Sequence, residues 1–422
     1  MQRIVLALLF AAGSINFLDR GSLSIANGPI RSELHLSGSH MGALLSFFSL
    51  AYGLAQLPVG ALLDRFRARL LLGGGLLLWS AAQAATALVR SFAQFVPLRL
   101  LLGVGEAPFF AAGVQSIEGW FAPGERGWPT GLMNASTMLG QAIAPPVLTV
   151  LMLHGGWRSM FAVIGALGVL LALCWFPLYR DPPAPALPGP RQTRLPQHST
   201  ASTLSVRQWI GFFRSATMWG MLLGFSGINY TAWLYMAWLP GYLEEARHVS
   251  VARTGALSVV PFLLGACGMF LSGLLADALV RRGQDPLRCR RWIVVSGMVL
   301  SAAFTFFVAG AGSTRSAVLL IAAALFCVHF AGTAAWGIVQ FAAPAGRVAT
   351  IASIQNFGSF MVASVAPWLT GWLLDRTHAF ALALSLCSAV TLVGAAAYAT
   401  LVRRPIEAAP APAPLPATMG RG

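Results

Sequence analysis

Gly60-Ala-Leu-Leu-Asp64-Arg65-Phe66-Arg67-Ala68-Arg69 and Gly273-Leu-Leu-Ala-Asp277-Ala-Leu-Val-Arg281-Arg282 are two copies of one pattern, offset by 213 residues at both the Gly and the Asp. Each closes an apolar run and ends in a cluster of Arg. Gly lets helices approach closely, Asp caps or pairs at a neighbouring helix end, and clustered Arg suits an anionic membrane face. A single basic loop would serve as a topology signal. Two, at equivalent positions, predict two related halves.

The runs between these copies set the class. Hydrophobic residues make up 57% of the 422 residues and charged ones only 10%, with a mean hydropathy of +0.70, a balance that excludes a soluble domain. At about 20 residues per crossing, the length predicts about twelve transmembrane helices and an all-α integral membrane protein. The predicted divisions are an N-terminal six-helix bundle over 1–179, a solvated Pro- and Arg-rich linker over 180–213, a C-terminal six-helix bundle over 214–404 and a disordered Ala/Pro tail over 405–422. The first apolar run reads as an uncleaved span rather than a signal peptide, because its helical pattern continues past Asp19 and Arg20.

The net charge is +15, and all 28 basic residues are Arg. They fall between the apolar runs rather than on one soluble face, which argues against a nucleic-acid partner. With the N-terminus inside, 19 Arg lie on the cytoplasmic side and 7 on the other, so the positive-inside rule predicts both termini in the cytoplasm. Four of the five Cys lie in apolar runs, and no metal-ligand spacing occurs, so neither a metal nor a cofactor is expected.

Four charges interrupt the apolar runs: Asp19 and Arg20 in the first, Arg99 and Glu106 in the fourth. An ionisable group at bilayer depth costs about 2.5 to 3.5 kcal/mol on insertion scales, so these must face a wet cavity or one another. Arg99 and Glu106 are almost two turns apart and share a helix face.

Within these spans the chain resembles the major facilitator superfamily, whose two six-helix halves are related by pseudo-symmetry. Asn16-Phe-Leu-Asp-Arg20, Gly105-Glu-Ala-Pro108, Trp120-Phe-Ala-Pro-Gly-Glu-Arg126, Gly156-Trp-Arg-Ser-Met-Phe161 and Trp238-Leu-Pro-Gly-Tyr242 are similar to motifs of its anion:cation symporter family. The resemblance implies a secondary transporter of the bacterial inner membrane, coupling entry of a small organic anion (a sugar acid or aromatic acid) to protons by alternating access. It also implies Tyr52 and Asn356 as substrate contacts, although an aromatic filler suits Tyr52 equally. Phe17, where several relatives place Tyr, weakens the expectation of a heavily hydroxylated sugar acid.

A carboxylate at mid-membrane asks for a fixed cationic fork, which guanidinium supplies. Asp19 and Arg20 point about 100° apart on their helix. The reading assigns Arg20 to the substrate, pairs Asp19 with Arg99 and leaves Glu106 to load the proton; a structural ion-pair network is the alternative. Asp64, Arg65 and Asp277 are assigned to the cytoplasmic gate. His329, in the tenth run, reads as a helix-packing residue rather than a proton relay. An exchanger or Na⁺-coupled carrier of the same fold remains open, as less plausibly does a non-transporting sensor. No catalytic constellation survives placement on the spans, so an enzyme is not expected; the partners expected are the anion, protons and the lipid bilayer, with the protein monomeric.

Overall fold

The computed structural model describes residues 1–122, 125–182, 210–344 and 347–406, with the backbone alone at 60, 61, 64 and 349. Most of the linker and of the tail, and the side chain of Asp64, lie outside the described residues.

The first span is Gln2–Ile25, and a short helix, Asn27–Leu34, follows at its far end. Gly38–Thr86 reads as one helix but turns back at Arg67, so it supplies the second and third spans. Its two ends prove the reversal. Gly38 meets Asp375, Arg69 bonds Phe176 and Asp181 at the face where the termini lie, and Ala87 is back beside Arg158 and Glu33. Phe92–Glu106 and Pro108–Trp120 form a broken fourth span. Gly127–Leu178 turns at Gly156, whose φ of 73° is one that a residue without Cβ adopts most easily, giving the fifth and sixth.

The second half repeats the count. Its spans are Ala216–Gly241 (seventh, followed by Tyr242–Ala246), Val251–Arg281, Pro286–Val308, Thr314–Ala342, the broken eleventh Val348–Ala363 with Val365–Thr377, and Ala381–Leu401. Among the described residues, nine helical stretches meet the length and hydropathy needed to cross a membrane, one of them the double fifth and sixth. The whole is a twelve-span helical protein, as expected from the sequence.

Local chemistry explains several starts. Asp285 accepts a hydrogen bond from the Arg288 N–H at 2.7 Å, with Pro286 in the first helical position. Ser37 accepts from the His40 N–H at 3.1 Å, and Ser313 from the Ser316 N–H at 3.1 Å. Leu, Val and Phe on outward faces remain exposed in the isolated protein, among them Leu170, Phe270, Phe307, Leu319 and Val393, which is the arrangement a lipid-facing belt requires.

The halves meet at the face away from the termini. Asp375 of the eleventh span caps the second span across the interface: its carboxylate accepts from the Gly38 and Ser39 N–H groups, both at 2.7 Å, and from the Ser39 hydroxyl. Close approach makes this possible, since a Cβ at Gly371 would overlap the Gly38 carbonyl. Nearby, Ser46 Oγ accepts from the Trp368 N–H at 3.0 Å, Ser24 donates to the Ala237 carbonyl at 2.6 Å, and Arg31 pairs with Glu245. One buried apolar core runs through the second half and across this seal into the first. A second core, built on residues such as Leu9, Leu72, Trp79 and Trp175, serves the termini side of the first half.

Of the predicted gate residues, Arg65 is exposed and lies over the Phe66 ring at 5.2 Å. Asp277 sits 3.5 Å from Arg290 of its own half. Neither takes part in the far-face seal.

Candidate functional site

Glu106 is the last residue of the helix Phe92–Glu106. Pro108 follows one residue later, and its ring and missing N–H break the span there. Gly103, one turn earlier, allows the second span to press against the fourth, because a Cβ there would meet the Phe48 carbonyl. The break and the close approach bring the carboxylate to the first span.

There Arg20 Nε donates to Glu106 Oε2 at 2.7 Å. The pair is sealed from water, with side-chain exposures of 7% and 0%. Three rings box the guanidinium: its carbon lies 4.9 Å from the centre of Phe17, 5.4 Å from Phe48 and 4.6 Å from Tyr52. Such cation–π contacts contribute about 0.5 to 2 kcal/mol each according to desolvation. They hold the fork without consuming its N–H groups, and Arg20 Nη2 remains without a hydrogen-bond partner.

This pairing differs from the sequence expectation. Glu106 is engaged by Arg20 rather than free, and no ion pair joins Asp19 to Arg99 within 4.0 Å among the described residues. Two adjacent residues on the first span both could reach the fourth, and spacing alone does not say which does. Asp19 is fully buried, and neither carboxylate oxygen completes a hydrogen bond. Its helix is steadied beneath it, where Ser22 donates to the Asp19 carbonyl at 2.6 Å and Gln83 to Ser22 at 2.9 Å. Arg99 is 2% exposed, lies 5.9 Å from both the Phe95 and Phe161 rings, and keeps Nη2 unpartnered. The four charges nevertheless form one buried, formally neutral cluster, as the sequence required.

Tyr52 joins the cluster through its ring. Asn356 lies farther toward the termini face, where its amide donates to Gln56 Oε1 at 3.1 Å across the two halves. Gln56 was missed from the sequence, although a Gln in an apolar run, one turn beyond Tyr52, is the signal that finds it. Gln141 was missed too; it lines a crevice with Phe17, Gly21, Pro145 and Met236 on the far side of Arg20. His329 packs against Gly265 of the eighth span, away from the charges, as a helix-packing residue would.

At the far mouth, the short helix Asn27–Leu34 carries its own charges. Glu33 accepts from the Trp157 indole N–H at 2.6 Å and from Arg158 Nη2 at 2.8 Å. These bonds hold the Glu33 carboxyl below its usual range. Glu244, by contrast, is pushed up to about 7 by burial and by the adjacent Glu245. It sits against Gly28, and one of its oxygens is without a hydrogen-bond partner.

Comparisons with known proteins agree with this architecture. The solved structure of a bacterial homolog of the human lysosomal transporter Spinster, inward-facing and occupied, superposes with a TM-score of 0.78 at 18% identity, covering 94% of this chain and 96% of that one. A D-xylose-proton symporter gives a TM-score of 0.73 at 15% identity, over 95% and 98% of the two chains. Both speak to the fold. In sequence, the chain is 50% identical to a probable L-galactonate transporter of Escherichia coli (strain K12), over 96% of this chain and 90% of that protein. It is 29% identical to a hexuronate transporter of Bacillus subtilis (strain 168), over 96% of each. The model of the Major Facilitator Superfamily matches residues 9–367, and with twelve spans, two halves sealed at one face and a charge cluster buried in the first half, the chain is a membrane transporter that belongs to that superfamily.

Proposed function

We propose that this protein imports a hydroxylated carboxylate, a six-carbon sugar acid of the galactonate kind, together with protons across the bacterial inner membrane. The observation that carries the reading is the buried ion pair between Arg20 and Glu106 of the first half, against Tyr52, whose ring meets Phe360 of the second half. Arg20 lies against three rings at 4.6 to 5.4 Å, one of them Tyr52, whereas Arg99 lies 5.9 Å from two, and the Arg20 fork cannot serve an ionised Glu106 and an incoming carboxylate at full strength together.

Protonation resolves the competition. A proton on Glu106 removes the charge that holds Arg20, and the substrate carboxylate takes its place in a bidentate bond. The cluster then stays near neutrality throughout, which keeps the cost of burial low while the halves rock around it. Once the cavity faces the cytoplasm, loss of the proton restores the pair between Arg20 and Glu106 and expels the anion. Asp19 and Arg99, both buried beside the pair, tune this exchange electrostatically.

The Arg bias assigns the termini face to the cytoplasm, so the far-face seal closes the outside. The L-galactonate and hexuronate transporters among the relatives support a sugar acid, against the expectation drawn from Phe17, whose ring lies 4.9 Å from the Arg20 guanidinium and can serve there as an aromatic wall without a hydroxyl. Uptake of labelled L-galactonate into proteoliposomes with an acid exterior tests the reading. Accumulation that collapses with a protonophore supports it; accumulation that follows an imposed Na⁺ gradient, or that needs a trapped internal anion, refutes proton symport.

A further inference from the structure

Three helices that meet across the two halves repeat one arrangement. The second span places Tyr52 one turn before Gln56, the seventh places Asn229 one turn before Trp233, and the eleventh places Asn356 one turn before Phe360. The second span runs away from the far face, whereas the seventh and eleventh run toward it. All three amides therefore lie about 6 Å closer to the termini face than their aromatic partners.

The contacts bear out two layers. In the upper one, Tyr52 and Phe360 are 5.5 Å apart between ring centres, Trp233 and Phe360 5.9 Å, and Phe48 and Trp233 6.0 Å. In the lower one, Asn356 Nδ2 donates to Gln56 Oε1 at 3.1 Å. Asn229 Nδ2 donates to Ser359 Oγ at 2.8 Å, and Ser359 in turn donates to the Asn356 carbonyl at 2.8 Å. The three amides are half-buried rather than sealed, so a ligand between the halves has access to them. Arg20 touches the upper layer from the other side, 4.6 Å from Tyr52.

We propose that Gln56 and Asn229, together with Asn356, form the subsite that reads the hydroxyl groups of the transported acid, while Arg20 holds its carboxylate. The inference rests on the sugar-acid reading above. An extended six-carbon chain measures roughly 6 Å from its first to its last carbon, from C–C bonds of about 1.5 Å, which matches the one-turn step between the layers. Its C–H faces lie among the rings, and its far hydroxyls reach the amides. An amide suits a hydroxyl because it offers a donor and an acceptor side by side, and a hydroxyl requires both. The bond between Gln56 and Asn356 is exchanged for bonds to substrate with little net loss. An acid without hydroxyls breaks that bond and leaves both amides unpaired, so the layer rejects it.

The test is equilibrium competition on the purified full-length protein with L-galactonate and with hexanoate, which has the same length and no further hydroxyl. Gln56→Leu and Asn229→Leu should each weaken L-galactonate about tenfold, and Gln56→Leu should tighten hexanoate, which no longer has an amide pair to break, so that selectivity narrows. Arg20→Ala should weaken both acids together. Gln56→Met, which keeps the shape of the side chain, guards against misfolding: it should lose selectivity as Gln56→Leu does while binding hexanoate at least as tightly as the wild type. Unchanged L-galactonate affinity in Gln56→Met and Asn229→Leu overturns the subsite, as does a proportional loss for both acids. Failure of the wild type to bind L-galactonate or any other aldonate, by contrast, refutes the underlying sugar-acid reading and the subsite with it.

Discussion

Replacing Glu106 with Gln isolates the competition for Arg20. In the wild type at alkaline pH, an entering anion displaces a carboxylate held at 2.7 Å in a pair whose side chains are 7% and 0% exposed. A hydrogen bond to a charged group contributes about 1.5 to 3 kcal/mol. The Gln amide oxygen still accepts from Arg20 and recovers about 1 kcal/mol of that. The difference, about 0.5 to 2 kcal/mol, no longer opposes the substrate, so its Kd should fall roughly two- to thirtyfold. The cluster also changes from formally neutral to cationic, which acts in the same direction. Because each anion bound by the wild type arrives with a proton, its affinity should fall as pH rises from 6 to 8.5, while that of Glu106→Gln should stay flat. Titration calorimetry at both pH values measures the binding, and proteoliposomes separate counterflow, which survives, from proton-driven accumulation, which disappears. If Glu106→Gln binds no more tightly than the wild type at pH 8.5, or still concentrates substrate under a proton gradient, Glu106 is a structural partner and the competition argument fails.

Arg20→Lys keeps the charge but not the planar fork, so anion affinity should drop at least about tenfold; near-normal calorimetric binding refutes the bidentate role. At the far mouth, Gly42→Leu drives a side chain into the Pro367 carbonyl and should wedge the seal open, raising maleimide labelling of Ser24→Cys and slowing uptake; an unchanged labelling rate removes Gly42 from the seal. Glu244, beside Glu245, which itself faces Arg31 and Asp375, supplies a pH signature. Its value of about 7, above the usual 4.5, means that its ionised form opposes closure: the penalty is absent below pH 4.5, grows between 4.5 and 7 and is complete above. Labelling of Ser24→Cys, divided at each pH by that of a freely accessible thiol so that thiol ionisation cancels, should therefore increase severalfold from pH 5 to 8, damped because Glu244 is partly solvated, and Glu244→Gln should flatten that normalised profile; a profile that persists assigns the dependence to another group.

The fold was legible because apolar runs and the repeated Gly60/Asp64 and Gly273/Asp277 pattern are features of length and order. The buried charges were legible for a different reason: Asp19, Arg20, Arg99 and Glu106 stand where a charge is expensive, which marks them whatever their geometry. Their pairing was not, because neighbouring residues on a helix differ only in direction, and direction is set by the tilt and contact of two spans. The seal was hidden as well. Asp375 caps a helix 337 residues away in sequence, and nothing local distinguishes it from an ordinary polar residue at a helix end. Gln56 and Asn229 fall between these cases, visible as amides in apolar runs but mute about the aromatic layer above them.

The short helix Asn27–Leu34 is fastened unequally. Toward its own half, Glu33 is held by Trp157 and by Arg158, which also donates to the Ala87 and Val89 carbonyls at 2.9 and 2.7 Å. Toward the other half, its ion pair is Arg31 with Glu245, partly exposed on both sides. Under any force that draws the halves apart, the single pair yields before the multiply bonded anchor. The helix therefore travels as a rigid lip of the first half. Its backbone amides should exchange with deuterium at one rate whichever way the cavity faces, while Tyr242–Ala246, on the side that lets go, should lose protection whenever the mouth opens.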